Sequence, residues 1–246
     1  MKIKLSTPVL FPQLPVGRRR YGNTPALRQL LCAMLVLAGL AAPAQDRNDG
    51  IAVLNGGRTT ILLKAPSPVI TPATPHAAGL VTIYSNLGVG GSTYNPIAGS
   101  GVLGRNVPGM PYPEWLASGF TPDADHTVTE IQVGVTYVQG PNTVILSLNE
   151  DAAGLPGKPL HSWIFSNLPT FGTCCTLQTA KVTGGIPITK GTHYWIVLRT
   201  TNNNQGTWDV WNDNFFERQR PFSNNLGSGW LQGGIQTQGA FGVFGQ

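Results

Sequence analysis

The sequence is poor in charge and in cysteine, and it is rich in residues that break helices. Only 11% of the 246 residues are Asp, Glu, Lys or Arg, and only three are cysteine. Glycine occurs 31 times and proline 20 times, yet aromatic residues still make up 9%. Because aromatic and β-branched residues cluster in runs, full disorder is excluded. This composition is typical of short strands joined by tight turns.

Acidic residues are missing altogether from the first 44 residues, which hold six Lys and Arg. An apolar run at 30–40 follows these cations, and Ala42-Pro43-Ala44 supplies the small residues that a signal peptidase reads. The run is shorter than the roughly 20 residues of a membrane-spanning helix. The pattern predicts a signal peptide over residues 1–44 and a mature protein that is secreted, periplasmic or at the cell surface.

No cationic excess remains once this leader is removed. Six of the 16 Lys and Arg belong to it, so the mature part has 10 of them against all 11 Asp and Glu, a net charge of −1. Binding to a phosphate backbone needs a basic face, and nucleic acid is therefore excluded as a partner. No further long apolar run follows residue 44, so no integral membrane span is expected after cleavage.

Two cysteines remain after cleavage, and they are neighbours. Cys174 and Cys175 could form a vicinal disulfide, stay as free thiols or pair with another chain. Export permits disulfides, although a bond between neighbours closes almost no loop and stabilises little through chain entropy. We favour the vicinal disulfide.

The chain after the leader divides into two segments. Residues 45–77 predict a hairpin around Asn55-Gly56-Gly57 and then a proline-rich linker. Residues 78–246 predict an antiparallel, jelly-roll-like β-sandwich, because Ile131, Val133 and Val135 alternate with polar residues and turn signals recur. Strands are predicted at 81–85, 127–138, 143–149, 160–165, 176–181, 192–198, 208–211 and 240–244. A long loop is expected at 86–114, and one helical turn at 113–117.

An ordered set of short segments carries a family resemblance. The segments are YSNLG at 84–88, ASGFTP at 117–122, VTEI at 128–131, LSL at 146–148, GLPG at 154–157, CC at 174–175, GTHYWIVL at 191–198 and WDVWN at 208–212. From about residue 82 to 244 the chain resembles the exported bacterial domains called choice-of-anchor proteins, R-type. The resemblance implies export and fold, but no activity and no catalytic residues. The surface-sorting tail of many family members is not recognised here, so release or periplasmic residence is expected.

One short segment concentrates carboxylates and amides. Asp209, Asn212, Asp213 and Asn214 lie within six residues. Calcium takes six to eight oxygen ligands from such side chains, so this segment is a candidate calcium site. The alternative is turn chemistry, in which Asp and Asn bond their own backbone. No other cofactor is expected.

The tryptophans suggest an apolar platform for a sugar ring. Trp208 and Trp211 are three residues apart, so they point to opposite faces of one strand and one of them belongs in the core. The other is predicted to form the platform with Trp230, Tyr194 or Trp195, and the candidate hydrogen-bond partners are Asn202, Asn203 and Asn204. The alternative is that the sandwich buries its tryptophans.

No catalytic residues are assigned. Residues 99–104 match G-x-G-x-x-G, but the prolines that follow exclude the helix of a dinucleotide site, and a flexible glycine loop is expected. The four histidines show no metal spacing, and no G-x-S-x-G elbow occurs. We predict an exported non-catalytic sandwich that binds extracellular polysaccharide or an envelope component. The alternatives are a structural or adhesive extracellular matrix protein without a small ligand, for which Cys174 and Cys175 are one possible means of assembly, and a secreted carbohydrate-active enzyme.

Overall fold

A computed structural model describes residues 50–55, 58–63, 79–201, 205–215, 222–227, 229–233 and 236–246. The predicted signal peptide, the proline-rich linker, Asn202, Asn203 and Asn204 lie outside the described residues. The described part of the chain contains strands and no helix, which confirms the predicted all-β class. No helix long and apolar enough to cross a membrane occurs among these residues.

Fifteen strands are present in the described ranges. They are β1 (Gly50–Asn55), β2 (Arg58–Leu63), β3 (Val81–Ser85), β4 (Ala98–Leu103), β5 (Trp115–Phe120), β6 (His126–Val133), β7 (Val135–Gln139), β8 (Thr143–Asp151), β9 (Pro156–Ser166), β10 (Gln178–Ile188), β11 (Tyr194–Arg199), β12 (Trp208–Asn212), β13 (Phe222–Asn225), β14 (Trp230–Gln232) and β15 (Phe241–Gly245).

The strands form three antiparallel sheets. The five-stranded sheet has the order β1-β2-β4-β12-β7, the four-stranded sheet β10-β6-β15-β3, and the six-stranded sheet β14-β13-β5-β11-β8-β9. One large apolar core takes buried side chains from all three, including Trp211, Ile131 and Leu198. Sheets that bury their inner faces against one another confirm the predicted antiparallel sandwich.

A single extended run joins two of these sheets. β6 pairs with β10 and β15, whereas β7 pairs with β12 in the five-stranded sheet. The change of sheet falls at Gly134, where a side chain would lie 2.6 Å from the ring of Tyr94. A glycine is required at this corner because another chain segment approaches so closely. The strand predicted at 127–138 is therefore two strands.

The polar face of that run is buried as well as its apolar face. Glu130 is 4% exposed, and its Oε1 accepts a 2.8 Å hydrogen bond from Gln132 Nε2. Thr136 is fully buried, and its hydroxyl donates to Asn212 Oδ1 at 2.7 Å. Both faces of this run are therefore buried. The polar side chains on one face are stabilised by hydrogen bonds to other polar side chains.

The glycine-rich region between residues 86 and 114 is not a continuous loop. The G-x-G-x-x-G residues begin in β4, which lies between β2 and β12 in the five-stranded sheet. The helical turn expected at 113–117 is also wrong, because β5 begins at Trp115. Alternation is hard to see in both strands, since glycine, alanine and serine occupy many of their positions.

The hairpin predicted near residue 55 is present. β1 and β2 pair so that Asn55 lies opposite Arg58. β2 also pairs with β4, from Thr60 opposite Ser100 to Leu62 opposite Ala98. The hairpin therefore extends the five-stranded sheet at one edge.

Gly99→Ala should destabilise the protein by about 1–3 kcal/mol, the usual cost of overpacking. A methyl group at this position would meet the Val210 side chain and would lie 2.6 Å from the carbonyl oxygen of Trp211. β12 would have to move away from β4 to accommodate it. The free energy of unfolding in urea measures the effect. An unchanged value would contradict the close approach of these two strands.

Candidate functional site

The outer face of the six-stranded sheet carries the most promising surface. The inner face of β5 and β11 contributes Leu116, Ile196 and Leu198 to the main core. The opposite face holds a second apolar cluster of Ala117, Trp195 and Val197, against which the partly buried Trp230 packs. Because side chains alternate along a strand, this division follows from the sequence of β5 and β11.

Two tryptophans lie in one row across this outer face. Asn225 of β13 is paired with Trp230 of β14 on one side and with Trp115 of β5 on the other. Directly paired residues point to the same face of a sheet. Neighbouring strands are about 4.8 Å apart, so the row spaces the two tryptophans by about 10 Å. Both tryptophans are partly exposed.

Arg199 extends this row on the other side of Trp115. It follows Leu198, which is paired with Leu116, and its guanidinium carbon lies 5.8 Å from the centroid of the Trp115 ring. Partial burial lowers the pKa of the Arg199 guanidinium, although an arginine stays charged at neutral pH. This cation–π contact holds the Trp115 indole in place beside a positive charge.

A pocket of about 170 Å³ opens beside Trp115. It is lined by Arg105, Pro113, Trp115, Thr200, Thr201, Asn225 and Gly227. Asn225 Oδ1 accepts hydrogen bonds from the backbone N–H of Gly227 at 2.8 Å and of Gly229 at 3.4 Å. These bonds fix the amide and leave its Nδ2 group as a donor.

The Nε1 group of Trp115 is buried and has no hydrogen-bond partner among the described residues. The donors that line the pocket beside the Trp115 ring are the Asn225 amide and the Arg105 guanidinium.

The structure does not bring the predicted sugar platform together. Trp211 and Tyr194 are 1% and 7% exposed and belong to the main core. Trp208 lies on the other face of β12, where it packs against Phe171 and Val210. The opposite orientations of the two β12 tryptophans are as predicted. Of the aromatic candidates, Trp230 and Trp195 lie on the outer face of the six-stranded sheet, and Trp195 is buried there.

The predicted cation site is also dispersed. Asp209 and Asn212 point to opposite faces of β12, since they are three residues apart on one strand. Asn212 Nδ2 donates to the Asn95 carbonyl, and Asn214 Nδ2 donates to the Gln238 carbonyl. The backbone N–H of Asp213 donates to the Ala98 carbonyl, and the Asp213 carbonyl accepts from the Asn95 N–H. No group of three or more His, Cys, Asp or Glu is assembled within the described ranges.

Asp209 is instead an isolated carboxyl in the core. It is fully buried, and neither carboxyl oxygen has a hydrogen-bond partner. Its strand neighbours are Val102 on β4 and Tyr137 on β7, both of which contact the main core. Burial raises the pKa of Asp209 to about 8, because an apolar environment disfavours the charged form.

The structure joins Cys174 to Cys175 in a disulfide. The pair is 5% and 0% exposed and packs against Tyr94 and Ala240. The Cys175 carbonyl accepts a 3.2 Å hydrogen bond from the Thr93 hydroxyl. Burial in the same cluster raises the pKa of the Tyr94 hydroxyl to about 12. Both sulfurs are thus inside the fold.

Sequence reasoning missed Trp115, Arg199 and Asn225. Trp115 was hidden by the prolines before it, although residues 115–120 alternate between the two faces of β5 once they are taken as a strand. Asn225 and Arg199 could not be found in this way. Their place beside Trp115 depends on pairing between strands that are far apart in the sequence.

Comparison with known proteins gives no assignment. No protein-family model matches the chain, and no curated protein matches it significantly.

Proposed function

We propose that this protein is an exported, non-catalytic β-sandwich that binds extracellular polysaccharide on the outer face of its six-stranded sheet. The row of Trp230, Asn225 and Trp115, which continues into a pocket lined by donors, is the observation that carries the proposal. Export rests on the signal-like leader and on the resemblance to the choice-of-anchor R-type domains.

The chemistry of this row suits a sugar polymer. A pyranose ring has an apolar face of C–H groups and a rim of hydroxyls. An indole offers a large, rigid apolar surface to the C–H face of the sugar, and an oriented amide offers a hydrogen-bond donor to its hydroxyls. Two indoles about 10 Å apart can contact separate rings of one extended chain. Ligand sites of this kind combine aromatic walls with a few placed polar groups.

The test is binding of the purified protein to a panel of polysaccharides, measured by affinity electrophoresis in gels that contain each polymer. We expect saturable binding to at least one polymer, and at least tenfold weaker binding for Trp115→Ala and for Trp230→Ala. A stacked aromatic side chain contributes energies of this size to binding.

Phe215→Ala is the matched control, because Phe215 is 48% exposed and is not part of the row. It should bind like the unmodified protein, and circular dichroism should show that all three variants are folded. Absence of binding to every polymer would overturn the proposal and favour the adhesive matrix alternative. If binding survives both tryptophan substitutions, the polymer binds elsewhere and not on this face of the sheet.

A further inference from the structure

We propose that the pocket beside Trp115 selects an acidic sugar, so that the ligand is a polysaccharide carrying carboxylate groups. This inference rests on the proposed function and adds the chemical class of the ligand. It follows from the charge and the hydrogen-bonding character of the pocket lining.

Arg105 supplies the positive charge. Its side chain is exposed and lines the pocket together with Trp115 and Asn225. The backbone of Arg105 is fixed by its bridge to Gln205 and by the 2.7 Å hydrogen bond that its carbonyl accepts from the Gly206 N–H. No carboxylate of the described residues pairs with this guanidinium. The charge is therefore placed at the rim and available to a ligand.

Acidic groups are absent from the described lining. The lining residues include no Asp or Glu, and Glu114, which precedes Trp115, is fully buried. The second guanidinium of this region, Arg199, lies over the Trp115 ring. Arg105 is the one charged side chain of the described lining, whereas the mature chain as a whole has a net charge of −1.

The neutral groups of the pocket also favour a ligand that carries hydrogen-bond acceptors. Asn225 Oδ1 is occupied by two backbone N–H groups, so the amide presents Nδ2, a donor. The planar guanidinium of Arg105 can make two parallel hydrogen bonds to a carboxylate, a geometry that adds specificity as well as energy. A uronic acid meets both demands, because it keeps the apolar ring face for Trp115 and adds a carboxylate for Arg105.

The experiment compares two polymers with the same linkages. One is polygalacturonate, and the other is polygalacturonate whose carboxyl groups have been reduced to alcohols. We expect at least tenfold tighter binding to the acidic polymer. Arg105→Gln should remove about that factor for the acidic polymer and leave the reduced polymer unaffected, because a hydrogen bond to a charged group contributes about a factor of ten or more.

Lys190→Gln is the matched control, because it removes one exposed positive charge from the turn after β10. It should bind both polymers like the unmodified protein. Equal weakening by Arg105→Gln and Lys190→Gln would show a general charge effect and overturn the site. If dextran sulfate binds as tightly as polygalacturonate and its binding depends on Arg105, the pocket does not select carboxylates, and the proposed class of ligand is overturned.

Failure of this inference differs from failure of the proposed function. If the reduced polymer, or a neutral polymer of the panel, binds through Trp115 as tightly as polygalacturonate does, the acidic class is overturned and the polysaccharide site stands. If no polymer binds, both are overturned.

Discussion

Replacing Asp209 with asparagine should stabilise the protein at neutral pH and remove most of the pH dependence of its stability. The carboxyl is fully buried without a hydrogen-bond partner, and its pKa is raised to about 8. In the unfolded chain the same group titrates near 3.9. Between these two values the unfolded state releases a proton that the folded state retains, so stability falls as the pH rises.

The effect of Asp209 is large. A shift from about 3.9 to about 8 corresponds to a loss on the order of 5 kcal/mol, absent below pH 4 and complete above pH 8. Asp209→Asn keeps the shape and carries no charge at any pH. We therefore expect the variant and the unmodified protein to have similar stability at pH 4, and the variant to be several kcal/mol more stable at pH 7.

Urea unfolding at a series of pH values measures this difference. Glu150→Gln is the control, because Glu150 is an exposed carboxyl near the end of β8, and its removal should leave the pH dependence of the unfolding free energy unchanged. A constant difference between Asp209→Asn and the unmodified protein from pH 4 to pH 8 would show that Asp209 is ionised throughout, and hence paired.

Trp211→Ala should cost about 3–5 kcal/mol of unfolding free energy, the range for removal of a large buried aromatic side chain. Trp211 is 1% exposed, its ring packs against Phe241, and its Nε1 donates to the Ala240 carbonyl at 3.1 Å. Gly239 lies directly against the indole and has no room for a side chain. The substitution therefore leaves a cavity, and the Ala240 carbonyl keeps only its 3.0 Å hydrogen bond from the Gly134 N–H.

The same substitution at Trp115 should have a much smaller effect on stability, since Trp115 is only partly buried. Thermal or urea unfolding of the two variants separates a core tryptophan from a surface tryptophan. Similar losses for both would contradict their placement. Trp211→Ala is for this reason unsuitable as a probe of binding, although its spacing from Trp208 suggests a platform in the sequence.

More of the fold than of the candidate site could be predicted from the sequence. Strands with bulky residues are visible in the sequence: β6 through its alternation, and β11 as a continuous apolar run. β4 and β5 are hidden, since glycine, alanine and serine fill them where another strand approaches closely. The dispersal of Asp209 and Asn212 follows from strand alternation, but only after β12 is known to extend to residue 212.

The site itself depends on long-range pairing. Trp115 and Trp230 are distant in sequence and become neighbours in a row only because β13 lies between β5 and β14. The sequence identifies Trp230 as a candidate for binding, but it does not identify Trp115. Only the strand order decides that they share the outer face.

The most direct test of the polysaccharide site uses the indole N–H signals of the six tryptophans in a proton–nitrogen NMR spectrum. Each signal is assigned by a single Trp→Phe substitution, and soluble fragments of the best-binding polymer are then added. We predict that the signals of Trp115 and Trp230 shift with saturation, while that of Trp211, which lies in the separate main core, stays in place. Shifts confined to other tryptophans, such as Trp163, or no shift at saturating polymer, would contradict the site.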